Sequence, residues 1–277
     1  MNTNIVTCAD DNYALPLAVL LKSIEETTTT NHTVDVIEVG ITETNKQKII
    51  ESVDNDKLEI VWHSFPIEKI ENFKTYNHIS TTAYTKIFLP ELFPTADKII
   101  FLDSDLILNH DINELVAMDF EYYYGVAVPE CDINALYMSS PNAVKCYGKL
   151  GIDPKTKFFN TGMMILNCKK WVEDDITNKI IAYLIKYEEY VHLCDQDGIN
   201  AVTKGYFKEL NPQWNQLSQL FSFDAWEDSP YDEQTYNKVK DDPYIVHFNT
   251  QNKPWKHTIK HPYQQLFLKH LSNTKFK

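Results

Sequence analysis

Short apolar runs alternate with amphipathic stretches along the first hundred residues, and that rhythm predicts an α/β chain. Residues 5–7, 34–40, 58–62 and 99–102 are brief, rich in β-branched and apolar side chains, and bounded by polar turns, which is the pattern of buried strands. Between the first two, residues 15–26 set Leu17, Leu20, Leu21 and Ile24 on one helical face, with Pro16 in the first turn. Residues 42–53, opening on Thr42 and Asn45, read as a second helix. Residues 82–89 read as a third, ahead of Pro90 and Pro94. Strands and helices in this order imply a parallel sheet with helices on both faces.

Beyond residue 105 the pattern is mixed. Residues 125–128, 163–166 and 244–248 predict strands, residues 171–190 one long amphipathic helix, and residues 197–203 a shorter one. Near the end, Tyr263, Leu266, Phe267 and Leu271 recur at helical spacing. Glycine is scarce, and beyond residues 27–30 there is neither repeat nor low-complexity run. The expectation is one domain over residues 1–250, a single Rossmann-like mixed sheet flanked by helices, followed by a basic C-terminal segment over 251–277.

Composition narrows the function. A chain of 277 residues with 43% apolar content supports one large core. No apolar stretch approaches about 20 residues, so no transmembrane helix is expected. The first residues carry no basic run ahead of Asp10, so no signal peptide is expected either. Five scattered cysteines without C-x-x-C spacing read as reduced thiols of a cytoplasmic protein, not as a disulfide frame or zinc site. A net charge of −13 argues against a nucleic-acid partner. All 26 basic residues are lysine, so any phosphate must be met by lysine, backbone N–H groups or a metal rather than by an arginine fork. No Gly-x-Gly-x-x-Gly or Walker loop supplies a phosphate cradle. Lysines 253, 256, 260, 269, 275 and 277 stand in a tail without acids. That tail reads as a helix docked on the domain, or alternatively as a basic foot making peripheral contact with the inner face of the membrane.

The candidate chemistry starts where the apolar run 98–102 meets Asp103-Ser104-Asp105. Carboxylates two residues apart at a strand end fall on one side of the sheet. They repel unless a cation holds them, and hard oxygen ligands suit Mn²⁺ or Mg²⁺. Ligands of open α/β sheets bind beyond the carboxyl ends of strands. Four further clusters share that character. Ala9-Asp10-Asp11-Asn12-Tyr13 offers a carboxylate for a base N–H and a ring for stacking, although Asp11 or Asn12 also serves as an ordinary helix cap. Phe159-Asn160-Thr161-Gly162 offers an amide to sugar hydroxyls and close backbone approach. Asp195-Gln196-Asp197 suits hydroxyl binding and a cationic anomeric centre, or a capped helix start. His247 can complete a metal site, and Lys253, ahead of Pro254 and Trp255, can meet a phosphate.

Taken in order, these clusters resemble the family 8 glycosyltransferases, the retaining group that includes bacterial lipopolysaccharide α-galactosyl- and α-glucosyltransferases and, more distantly, glycogenin. The resemblance spans almost the whole chain. It implies a GT-A fold with a small C-terminal helical appendage, a UDP-sugar donor, and Mn²⁺ with Mg²⁺ as the alternative. By that resemblance Asp103, Asp105 and His247 are the metal ligands and Lys253 reaches the donor pyrophosphate. Asp10 and Tyr13 hold uracil, with Asn12 beside them and Ser104 near the ribose. Asn160, Thr161 and Asp195 contact the donor sugar, and Gln196 faces the anomeric carbon, with Asp197 its neighbour and a candidate nucleophile. Glu130 aligns with an acid near the acceptor.

Two positions depart from the family. Lys86 stands where an arginine is usual, keeping the charge but losing the fork, and Thr250 stands where glycine is usual. The implied activity moves galactose or glucose, with retention, to a sugar hydroxyl of an oligosaccharide, lipid-linked or protein-linked glycan. Acceptor choice would fall to residues 122–154 and 211–230, with rings such as Tyr137, Trp214 and Phe223. The alternatives are a sugar-nucleotide hydrolase, a nucleotidyltransferase, or a non-catalytic carbohydrate-binding relative.

Overall fold

The computed structural model describes residues 2–76, 79–256 and 261–277. Its first half follows the alternation in the sequence: β1 (Thr3–Asp10), α1 (Ala14–Thr27), β2 (His32–Val39), α2 (Glu43–Ile50), β3 (Leu58–Ser64), α3 (Leu89–Leu92) and β4 (Lys98–Asp103). Strands β3, β2, β1 and β4 lie side by side and parallel. β4 is apolar over residues 99–102 because both of its faces are covered: Ile99 and Phe101 enter one core layer, Ile100 and Leu102 the other. Beyond β4 the sheet turns mixed. β7 (Phe159–Asn167) pairs antiparallel with β4, β6 (Gly125–Pro129) antiparallel with β7, and the short β8 (Lys208–Glu209) closes the edge. The expected mixed sheet flanked by helices is therefore observed.

Three elements differ from their expected form. Residues 82–89 form a 3₁₀ helix, Thr81–Phe88, leading into α3. Pro90 has no N–H to donate to the Lys86 carbonyl, so no α-helical ladder runs unbroken from that stretch into α3. The long helix expected over 171–190 is broken into α5 (Cys168–Glu173), α6 (Ile176–Lys186) and a 3₁₀ turn, Glu188–Tyr190. Asp175 makes the break with φ +53°, a left-handed conformation that Asp adopts more readily than most residues.

The late strand β10 (Ile245–His247) joins a separate small sheet rather than the large one. It pairs antiparallel with β5 (Leu106–Leu108) and parallel with β9 (Gln216–Leu217). Because β5 leaves directly from the Asp103-Ser104-Asp105 turn, pairing His247 opposite Leu106 brings the imidazole back to those acids. The Phe248 N–H, donated to the Asp105 carbonyl, fastens that junction.

The tail docks on the domain. In α9 (Gln264–Ser272), Phe267 is fully buried, and Tyr263, Leu266 and Leu271 pack beside it against the cluster containing Val19 and Phe248. His270 and Asn273 add hydrogen bonds to Glu26 of α1. The docked-helix reading is the one observed, and the apolar face that an inserting amphipathic helix would offer to lipid is spent inside the protein. Lys260 lies outside the described residues. No described helix is long and apolar enough to cross a membrane.

Candidate active site

A cleft of about 630 Å³ opens at the carboxyl ends of β1 and β4, where the parallel strands direct their following loops. At its floor, Asp103, Asp105 and His247 each offer a ligand atom, all within 4.8 Å of one another; among the described residues no other such cluster occurs. His247 Nε2 stands 3.3 Å from Asp105 Oδ1 and 4.0 Å from Asp103 Oδ2. Two carboxylates and one imidazole fit Mn²⁺ or Mg²⁺ by donor type.

The room for an ion depends on Gly162. A Cβ there would lie 2.2 Å from His247 Cε1 and 2.7 Å from Asp103 Oδ2. Gly162→Ala must therefore push apart the groups meant to converge. The expected result is a loss of about 10–100-fold in divalent-cation affinity, with about 1–3 kcal/mol lost from stability by overpacking. Titration of Mn²⁺ into the folded variant checks it, and wild-type affinity would refute the role given to the glycine.

Two buried lysines neutralise the acids. Lys86 Nζ lies 3.1 Å from Asp103 Oδ1 and 3.2 Å from Asp195 Oδ2. Burial disfavours its ammonium, but these two carboxylates outweigh that cost and hold its pKa above the ordinary lysine range. Lys253 Nζ lies 2.6 Å from Asp105 Oδ2 and also donates to the Phe248 carbonyl. Burial alone would raise the Asp105 carboxyl; Lys253 and His247 instead hold it far below the usual range.

On one side of this centre are Asp10, Tyr13 and Ser104, all lining the cleft. Asp10 accepts from the Ser80 and Thr82 hydroxyls and from the Asn12 backbone N–H. Tyr13 stacks edge-on against Trp255, so the C-terminal segment helps wall the cleft. On the other side, Thr161 Oγ1 donates to Asp195 Oδ2, and the Thr161 N–H to Gln196 Oε1. Gln196 Nε2 and Asn160 Nδ2 both donate to Glu130 Oε1. Burial pushes the Glu130 carboxyl up, and those two amides pull it back in part. Thr250 lines the cleft as well.

Two expected site residues are not brought there. Asn12 is exposed and contributes its backbone to Asp10 rather than its side chain to the cleft. Asp197 is buried behind the first turn of α7 (Asp195–Thr203), where Oδ2 accepts the His192 and Leu193 N–H groups. Successive helical residues project about 100° apart, so Asp195 and Gln196 can line the cleft while Asp197 turns inward. Its carboxyl is pushed up to about 7 by burial, and it braces the loop before α7. Of the rings suggested for an acceptor, Trp214 is buried against Tyr244, whereas Tyr137 is exposed. Asn215, hydrogen-bonded to His247, went unnoticed in the sequence because it sits in an irregular 3₁₀ turn, Pro212–Asn215, with no motif around it.

The cleft thus lies at the strand ends of a mixed sheet and is floored by two acids and a histidine. The fold matches the crystal structure of galactosyltransferase LgtC in complex with donor and acceptor sugar analogs, with a TM-score of 0.83, 24% identity, and coverage of 98% of this chain and 96% of that one. A family model described as glycosyl transferase family 8 matches residues 4–259, and the chain belongs to that family. General stress protein A of Bacillus subtilis (strain 168) is 28% identical over 279 residues, covering 99% of this chain and 94% of that protein. A putative glycosyltransferase of Haemophilus influenzae is 28% identical over 213 residues, covering 76% of this chain and 62% of its own length.

Proposed function

We propose that this glycosyltransferase is a metal-dependent, retaining hexosyltransferase that moves galactose or glucose from a UDP-sugar to a sugar hydroxyl of a cell-surface glycan or glycoprotein. The observation that carries the proposal is the Asp103/Asp105/His247 centre, with Asp10 and Tyr13 on one side of it and Asp195 and Gln196 on the other. That span suits a nucleotide, a diphosphate and a sugar in line. Asp103, Asp105 and His247 would hold Mn²⁺ or Mg²⁺, which when bound supplies positive charge against the departing diphosphate.

The protein's own groups do the rest. Asp10 accepts from the base and Tyr13 stacks on it, with Ser104 beside the ribose. Lys253 turns its ammonium from Asp105 to the diphosphate and lowers the cost of the leaving charge. Asn160, Thr161 and Asp195 orient the sugar, while the Lys86 ammonium pairs with Asp195 beside it. The group given to the anomeric carbon is the Gln196 amide, a poor nucleophile, and Asp197 is turned away. A front-side reaction with oxocarbenium character, the acceptor hydroxyl passing its proton to the leaving phosphate, therefore fits better than double displacement. Residues 1–250 would form the catalytic domain and residues 251–277 a basic segment that contributes Lys253 and Trp255. Five free, buried thiols favour work in the reducing cytoplasm.

The test is UDP release with Mn²⁺ across a panel of UDP-sugars, with and without EDTA and glycan acceptors. Slow, EDTA-sensitive release from one donor, accelerated by an acceptor, is expected. Release that no acceptor accelerates would favour a sugar-nucleotide hydrolase, and absence of turnover or binding with every UDP-sugar would sink the proposal.

A further inference from the structure

The floor of the cleft is a directed chain of hydrogen bonds. Glu130 Oε1, an acceptor, receives Asn160 Nδ2 at 2.8 Å. That fixes the other end of the Asn160 amide as its oxygen, and the Gly162 N–H, which can only donate, meets this Oδ1 at 3.0 Å. The same Oδ1 receives Asn215 Nδ2 at 2.9 Å, leaving Asn215 Oδ1 to face His247 Nδ1, also at 2.9 Å. An oxygen there requires a proton on Nδ1. Reversing Asn160 would set its oxygen against the Glu130 carboxylate and its NH₂ against the Gly162 N–H, and reversing Asn215 would set its oxygen against Asn160 Oδ1, so the chain runs in one sense only. Asn215, Asn160, Glu130 and His247 are all buried, and a mismatched polar pair is costly there.

We propose that Asn215 is a positioning residue: with its polarity set by Asn160, it keeps the proton of His247 on Nδ1 and turns the Nε2 lone pair toward Asp103 and Asp105. The inference rests on reading those three residues as metal ligands. It goes beyond that reading by assigning to an amide outside the ligand set the choice of which imidazole nitrogen is free. Asn215 also ties the metal side of the cleft to its sugar side, because Asn160 shares Glu130 with Gln196. Metal-ligating histidines depend on such partners, whose loss typically weakens binding by about 10–100-fold.

The test is long-range ¹H–¹⁵N correlation of the imidazoles in the full-length, metal-free protein at mildly alkaline pH, with His247 assigned through its own substitution. Nδ1 of His247 is expected to be protonated in the wild type. In Asn215→Leu the proton should move to Nε2, beside Asp105, and Mn²⁺ affinity should fall by about 10–100-fold. Asn215→Asp still offers an oxygen to Nδ1 but sets a second oxygen against Asn160 Oδ1. It should therefore restore the Nδ1 proton and Mn²⁺ binding while the KM for the donor sugar rises. A bare Nδ1 in the wild type would overturn the proposal, as would a protonated Nδ1 and unchanged Mn²⁺ affinity in folded Asn215→Leu. Wild-type protein with a protonated Nδ1 that binds no Mn²⁺ would instead sink the metal reading and leave the relay standing.

Discussion

Asp103→Ala will abolish sugar transfer while leaving a folded protein. The carboxylate ends β4 and is the more solvent-accessible of the two acids, with 27% of its side chain exposed against 12% for Asp105. Its value is therefore in what it faces rather than in core packing. Truncation removes one of the three proposed ligands, and the remaining Asp105 is already engaged by Lys253. Lys86 loses one partner but keeps Asp195, so no buried ammonium is left alone. Losing one group that stabilises charge in the transition state commonly costs about 10²–10³ in rate; losing the cation as well should carry the drop beyond that. Rates of UDP release, Mn²⁺ titration and thermal midpoint together check this. Normal turnover in a folded variant would remove Asp103 from the metal site and with it the mechanism proposed above.

The strand ends were legible in the sequence because their physics is local. A run as apolar as residues 98–102 must be buried on both faces, and two acids at its end must meet solvent or a cation. His247 lies far along the chain, and no periodicity says that its strand returns to Asp105. The family resemblance linked them; pattern alone would have left a histidine at a strand end. Asp197 was misplaced for a related reason, since adjacent residues on a helix diverge and only the packing of α7 decides which enters the cleft. The amphipathic tail shows the same limit, because its apolar side suits lipid and Phe248 equally until the rest of the fold is present. Asn215 could not be read at all. Its role comes from three contacts distant in sequence, and an asparagine in a turn is unremarkable by itself.

Lys86→Met should be the most destabilising single change in the cleft, because it strands charge without changing much volume. Methionine keeps an unbranched apolar stem near the Phe101 ring, which Lys86 Nζ now approaches to 5.0 Å from its centroid. What disappears is the ammonium between Asp103 and Asp195. Asp103 can turn to solvent; Asp195 is 3% exposed and cannot. Removing one partner of a buried ion pair costs about 3–5 kcal/mol, most of it the penalty of the orphaned charge. Burial already pushes the Asp195 carboxyl upward, with Lys86 as the main opposing influence. Without Lys86 its folded-state pKa rises further above the unfolded value, so the folded variant binds more protons than the unfolded chain. Its stability then increases as pH falls through that raised pKa toward the unfolded carboxyl value. The deficit relative to the wild type should thus be largest near neutral pH and shrink in mild acid, as read by urea unfolding at several pH values. Lys86→Arg keeps the charge and should lose less stability than Lys86→Met, while its fork changes the donor KM. A Lys86→Met protein as stable as the wild type at neutral pH would show that Asp195 is not charged in the folded state, and the orienting role given to it would fall.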